Sequence, residues 1–274
     1  MKSPILLHVL LVAALPAVSV AASDITPLGL IDTAIAQGRL AAAEEIIRRA
    51  PLAPDDPELL LRQAEVALAA GRGSEAMGGF LALVDIPQTS ARAWAGLGLL
   101  RLRRGDNSGA IDALDKALAA DPGLLRAQVA RGIIADQQQD WPRAEAAYAM
   151  VLAKDPGHVS ALANRGWSRL LRGRHAEAEA DLAAALSAMP EDAPSRVRLT
   201  NNLRLARALQ GHYQAAFADS SPETLAHDLN TVGFAAMARG DDDVAAAYFR
   251  RALELNPRHD KIAAANLAWL EAQK

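Results

Sequence analysis

Catalysis and metal binding need reactive side chains at particular spacings, and this chain offers few candidates. Beyond the first 22 residues its histidines are His158, His175, His212, His227 and His259. No two lie four apart, so no helix face carries the paired imidazoles of a helical zinc site. His175 and His212 closely follow Gly173 and Gly211, which reads as exposed loop. Asp241-Asp242-Asp243 resembles a cation cluster, but it stands where a helix is expected to begin, and acids there favour the positive end of the helix dipole. Gly71-Arg72-Gly73 lacks the preceding strand and the following Gly-Lys-Ser/Thr of a phosphate loop. The absence of cysteine excludes disulfides, thiolate metal sites and cysteine nucleophiles together. The scattered serines have no base or acid placed beside them. The expectation is no enzyme, no metal and no cofactor.

Half of the residues are hydrophobic, but only 4% are aromatic, and alanine fills the difference. Alanine has the highest helix propensity, while a sandwich or barrel would call for Val, Thr and aromatics. A net charge of −3 gives no general attraction to nucleic acid or anionic lipid.

The first 22 residues have the layout of a secretory signal peptide. Lys2 supplies the charge, Ile5 to Val18 is almost continuously apolar, and Ser19-Val20-Ala21-Ala22 supplies small residues for cleavage after Ala21 or Ala22. The apolar run falls short of the ~20 residues that span a bilayer. An uncleaved anchor is the alternative. The expected location is the periplasm, with membrane contact only if the segment is retained.

The remainder repeats itself. Gly98, Gly132 and Gly166 are spaced by 34 residues, as are Ala110, Ala144 and Ala178, and Pro122, Pro156 and Pro190. The bulky Leu114, Tyr148 and Leu182 keep the same step, and Gln139 stands midway between Gly105 and Gly173. Each unit reads as two helices joined by a tight turn, about 14 helices in all. Asp56-Pro57-Glu58 and Thr26-Pro27 show the cap and first-turn proline of a helix start. One pair cannot bury its apolar face alone, so neighbours must stack. The units fall at about 24–56, 57–90, 91–124, 125–158, 159–196, 197–225 and 226–259, followed by a last helix within 260–274, over Lys261 to Ala272. Two spacings depart from the period. Gly173 to Gly211 is 38 residues, which inserts about four near Pro190, and Gly211 to Gly240 is 29, which shortens a second helix near Gln214 to Asp219. Arg204 stands where the close-packing glycine is expected.

This pattern resembles the tetratricopeptide repeat. It appears as Trp94, Leu97-Gly98, Gly105, Ala110, Leu114, Ala117 and Pro122, and again as Leu229, Val232-Gly233, Gly240, Ala245, Phe249, Ala252 and Pro257. The resemblance implies an all-α fold, a right-handed superhelical solenoid of helix-turn-helix repeats closed by a C-terminal solvating helix. It also implies a concave face lined by positions two, five, nine and twelve of each first helix. Position nine reads Glu65, Leu99, Ile133, Trp167, Leu205 and Phe234, and position two supplies Arg92, Arg126 and Arg198. The groove residues expected to hold a peptide are Leu99, Ile133, Trp167 and Phe234, with Arg92 and Arg126 on the rim. An apolar floor with arginine at its edge suits an amphipathic or extended segment with an acidic flank. A shifted register would instead turn some of these into packing between repeats.

The C-terminal third is similar to the TadD-type repeat proteins of the Tad (Flp-type) pilus system. The likeness rests on Arg198-Leu199-Thr200-Asn201-Asn202-Leu203-Arg204-Leu205-Ala206-Arg207-Ala208-Leu209-Gln210-Gly211 and on Ala263-Ala264-Ala265-Asn266-Leu267. It implies an exported scaffold that assists pilus assembly and secretin placement, with pilus or secretin components as partners. Proteins of that type are lipid-anchored, whereas this chain has no cysteine to acylate. The alternative is an interaction subunit of another envelope machinery, in polysaccharide export or cytochrome maturation.

Overall fold

The computed structural model describes residues 26–193, 195–256 and 261–273. The signal segment 1–22 lies outside the described residues. Those residues form fifteen α-helices and no strand, two for each of the seven units and one last helix. In chain order the pairs are α1 (Pro27–Ala36) with α2 (Leu40–Arg49), α3 (Pro57–Ala69) with α4 (Gly73–Leu81), α5 (Pro87–Arg103) with α6 (Asn107–Ala120), and α7 (Leu125–Gln137) with α8 (Trp141–Lys154). Then come α9 (Val159–Leu171) with α10 (His175–Ala188), α11 (Arg196–Leu209) with the four-residue α12 (Tyr213–Ala216), α13 (Leu225–Arg239) with α14 (Asp242–Leu255), and α15 (Lys261–Glu271). No described helix is long and apolar enough to cross a membrane.

The chain divides into two compact units, one ending at Asn164 and one beginning at Arg165, within α9. In the first unit a cluster built on Leu114, Ile134, Tyr148 and Val151 joins α5 through α9, and a second on Leu61, Leu68, Phe80 and Leu97 joins α3 through α6. In the second unit Leu229, Phe249, Ala252 and Leu270 join α13, α14 and α15.

The recurrent glycine has a steric cause. A Cβ on Gly98 would lie 2.8 Å from Leu114, one on Gly132 2.6 Å from Tyr148, and one on Gly233 2.7 Å from Phe249. These distances are too short for carbon, so only glycine lets the bulky side chain of the second helix reach the backbone of the first. The turn glycine also has a cause. Gly105 has φ +78°, and its counterpart Gln139 holds φ +59°. That left-handed backbone costs an L-residue about 1 kcal/mol or more.

Helix α5 begins four residues before the unit boundary drawn at Ala91. Pro87 occupies its first turn, and the buried Thr89 hydroxyl donates to the Leu83 carbonyl at 3.0 Å, fastening the added turn to the segment before it. The histidines also take particular places. His158 is buried, and its Nδ1 accepts from the Ala161 N–H at 3.2 Å, capping α9. His175 is the first residue of α10 and only half-exposed rather than free in a loop, while His212 is exposed. Asp241 precedes α14 and accepts from the Tyr213 hydroxyl and, at 3.0 Å, from Arg239 Nε. Among the described residues no group of three or more His, Cys, Asp or Glu could hold a metal ion.

Candidate functional site

In the first unit, Glu65 on α3 is only 3% exposed, so its charge must be met from within. Arg92 on α5 donates to Glu65 Oε2 at 2.6 Å, and Arg126 on α7 donates to Oε1. Arg92 also reaches Asp32 on α1 at 3.1 Å, and Arg62 pairs with the same carboxylate at 2.8 Å and with Glu58. Three guanidiniums thus face three carboxylates. Burial pushes the Glu65 carboxyl up, but Arg126, Arg92 and Arg62 together outweigh it and hold the group below its ordinary value. Arg92 and Arg126 are therefore engaged inside the protein, rather than presented as a free rim for an acidic ligand.

The position-nine row is mixed. In the first unit Ile133 is 2% exposed and belongs to the core cluster drawn from α5 to α9. Ile133 itself is therefore not offered to a partner segment. Leu99 is half-buried and packs against both clusters of that unit. In the second unit Trp167 is half-buried, and its Nε1 is shielded with no acceptor. Phe234 is half-buried against the Leu229–Phe249 cluster, and Leu205 against Ala208, Ala216 and Val232. Asn164 donates to the Ser160 carbonyl at 2.7 Å, which is backbone satisfaction within α9. Asp181 was not singled out by its spacing, yet it is buried and accepts a two-pronged contact from Arg165 at 2.8 and 2.7 Å and a third bond from Arg169 at 2.7 Å.

The two spacing departures meet in the second unit. The inserted residues after α10 and the shortened α12 leave a cleft of about 530 Å³, bordered by Glu191, Asp192, Val197, Asn201, Arg204 and Asp228. Arg204, in the glycine's place, turns its guanidinium into the space a full second helix would fill. It donates to the Ala216 carbonyl at 3.1 Å and to Asn201 Oδ1 at 2.6 Å, and pairs with Asp228 at 2.8 Å. Thr224 donates to the other Asp228 oxygen at 2.8 Å. Asp228 and Arg204 are 1% and 3% exposed, so the floor of the cleft is a desolvated ion pair. The irregular spacings located this region in the sequence, but the Asp228 partner had no local signal.

Comparison with known proteins agrees with the geometry. Two family models described as tetratricopeptide repeat match, one over residues 88–124 and 129–195 and one over 226–259, together about half of the chain. No catalytic family is indicated, and no curated protein matches the sequence. Among solved structures, the APC/C hetero-tetramer Cut9–Hcn1 superposes with a TM-score of 0.65 at 17% identity, over 90% of this chain and 49% of that one. This chain thus spans about half the length of that relative. PilF of Pseudomonas aeruginosa superposes at 0.56 with 18% identity, over 80% of this chain and 97% of that one. TTC0263, a thermophilic repeat protein of Thermus thermophilus, superposes at 0.51 with 28% identity, over 65% and 97%. By its repeats, its small-against-bulky packing and these matches, the chain belongs to the tetratricopeptide-repeat family.

Proposed function

We propose that this protein is an exported scaffold that holds a protein partner on the first-helix side of its repeats and serves assembly of a Tad/Flp-type pilus or secretion complex. Family membership supports protein binding. Export rests on the layout of the first 22 residues, and the pilus assignment on the segments 198–211 and 263–267. The observation that carries the binding role is that first-helix side chains stay half-buried while their neighbours are sealed: Leu99 in the first unit, and Trp167 and Phe234 in the second. Half-covered apolar and aromatic side chains of this kind act as anchors for a partner segment. Arg92 and Arg126 serve as positioning groups for the helices rather than as the partner's counter-ions.

The test is capture of partners from an envelope extract. Trp167→Ala is expected to lower capture tenfold or more while helical circular dichroism stays unchanged, and pilus or secretin components are expected among the proteins retained. If Trp167→Ala unfolds the protein and leaves affinity per folded molecule unchanged, the residue belongs to the core and the reading fails. A mature protein that still carries Met1 to Ala22 would overturn export.

A further inference from the structure

Helix α15 buries Ala263 and Leu270, with Leu267 partly covered beside them, against α13 and α14. Its other side is uncovered and apolar. Ile262 is 65% exposed and Trp269 42% exposed, and Ala264, Ala265, Ala268 and Ala272 between and beside them are exposed as well. A repeat-helix face turned to water is normally polar. Here the outward polar side chains described are Lys261, Glu271 and Gln273, all at the two ends.

The two end charges point to what covers this face. Lys261 stands at the helix N-terminus and Glu271 at its C-terminus, each at the unfavourable end of the helix dipole. A second α15 laid antiparallel across the first corrects both, bringing each lysine to the partner helix's C-terminus and each glutamate to its N-terminus. The sequence fits that arrangement in register. Ala264 with Ala268 and Lys261 with Glu271 are both centred on Asn266, and Ile262 with Trp269 is centred half a residue earlier, between Ala265 and Asn266. Asn266 is turned inward, its amide donating to Asn230 Oδ1 at 3.4 Å, so Ala265 lies nearest the axis. The small alanines let the two backbones approach, and the Ile262–Trp269 flanks meet flank to flank, as a two-fold axis requires. Glu271 contacts Arg250 at 3.3 Å, but both side chains are 57% exposed, which leaves the carboxylate free to share.

We propose that α15 is a self-association surface, and that two copies of this chain pair through it as an antiparallel, two-fold dimer. An eleven-residue helix is about 16 Å long. The contact it can make falls below the ~1,200 Å² of a standard interface, so the dimer belongs to the weak, reversible class.

The mature chain is measured by sedimentation at concentrations on the order of 10 to 100 µM, the range in which a weak complex populates. The average mass is expected to rise toward the dimer. Ile262→Glu with Trp269→Glu is expected to return it to the monomer without loss of helical signal, since both side chains are exposed. Lys261→Glu should weaken pairing several-fold, and adding Glu271→Lys should restore it. Because the protein has no cysteine, Ala265→Cys reports on geometry alone. Oxidation should yield a disulfide-linked dimer, while Ser74→Cys, on an exposed part of the other unit, should not. A monomer throughout this range overturns the proposal. So does a dimer that survives the two glutamates, or one in which Ala265→Cys links no better than Ser74→Cys.

Discussion

The fourth and sixth repeats solve the same packing problem in opposite ways. In the fourth, Gly132 leaves room for the Tyr148 ring, which is fully buried, and its hydroxyl donates to Asp136 at 2.8 Å. In the sixth the glycine is replaced by Arg204, the second helix is four residues long, and the gap is closed by the Arg204–Asp228 pair. The apolar closure is stabilised by area removed from water. The ionic closure must first offset the desolvation of two charges, so it adds little when complete and costs much when halved. A repeat array can therefore lose most of a helix and still close, provided a charge and its counter-charge arrive together.

Removing each closure tests the contrast. Tyr148→Ala leaves a cavity in a sealed core and is expected to cost about 3–5 kcal/mol in chemical denaturation. Asp228→Ala strands a buried guanidinium and is expected to cost about 3 kcal/mol, whereas Arg204→Leu combined with Asp228→Leu should lie within about 1 kcal/mol of the natural protein. A double variant as unstable as the single one would mean that the pair is not the closure. A third change bears on the turn rather than the core. Gln139→Gly relieves the left-handed strain in the fourth repeat and is expected to raise stability by about 0.5 kcal/mol, after allowing for the freer unfolded chain. At Gly105, already suited to that backbone, no such gain is available.

The smallest effect concerns His158. Burial pulls its imidazole below the ordinary value, although Asp155 nearby and a backbone hydrogen bond act the other way. The unfolded chain therefore binds the proton more readily. Stability is full above about pH 6.5, the ordinary histidine value, and falls as pH drops below it toward the lower folded value. His158→Asn keeps a capping acceptor at the start of α9. It should remove this part of the acid slope while leaving the midpoint at pH 8 nearly unchanged. A slope identical in both proteins would place the titration elsewhere.

The 34-residue step made the helix pairs legible, because Gly98 and Leu114, like Gly132 and Tyr148, constrain each other within one repeat. It also marked Gln139 and the two irregular spacings. The charges around Glu65 were not legible in the same way. Arg92 and Glu65 are 27 residues apart, and Arg126 and Glu65 are 61 apart. Their pairing depends on how successive repeats superpose, which local periodicity does not report. For the same reason Ile133 and Trp167 occupy one register position, yet the first is sealed and the second is half-covered. Side-chain volume and the neighbours across each interface decide burial, and neither is a property of position alone.

Glu65 has a consequence for cooperativity. In a linear array each repeat normally senses only the one before and the one after, so order decays from element to element like spins in a one-dimensional chain. Arg126 lies on the fourth repeat and Glu65 on the second, so their bond skips the third. That adds a next-nearest-neighbour coupling to the first unit. The second to fourth repeats should accordingly open as a single block in hydrogen exchange, with one shared protection factor rather than a graded series.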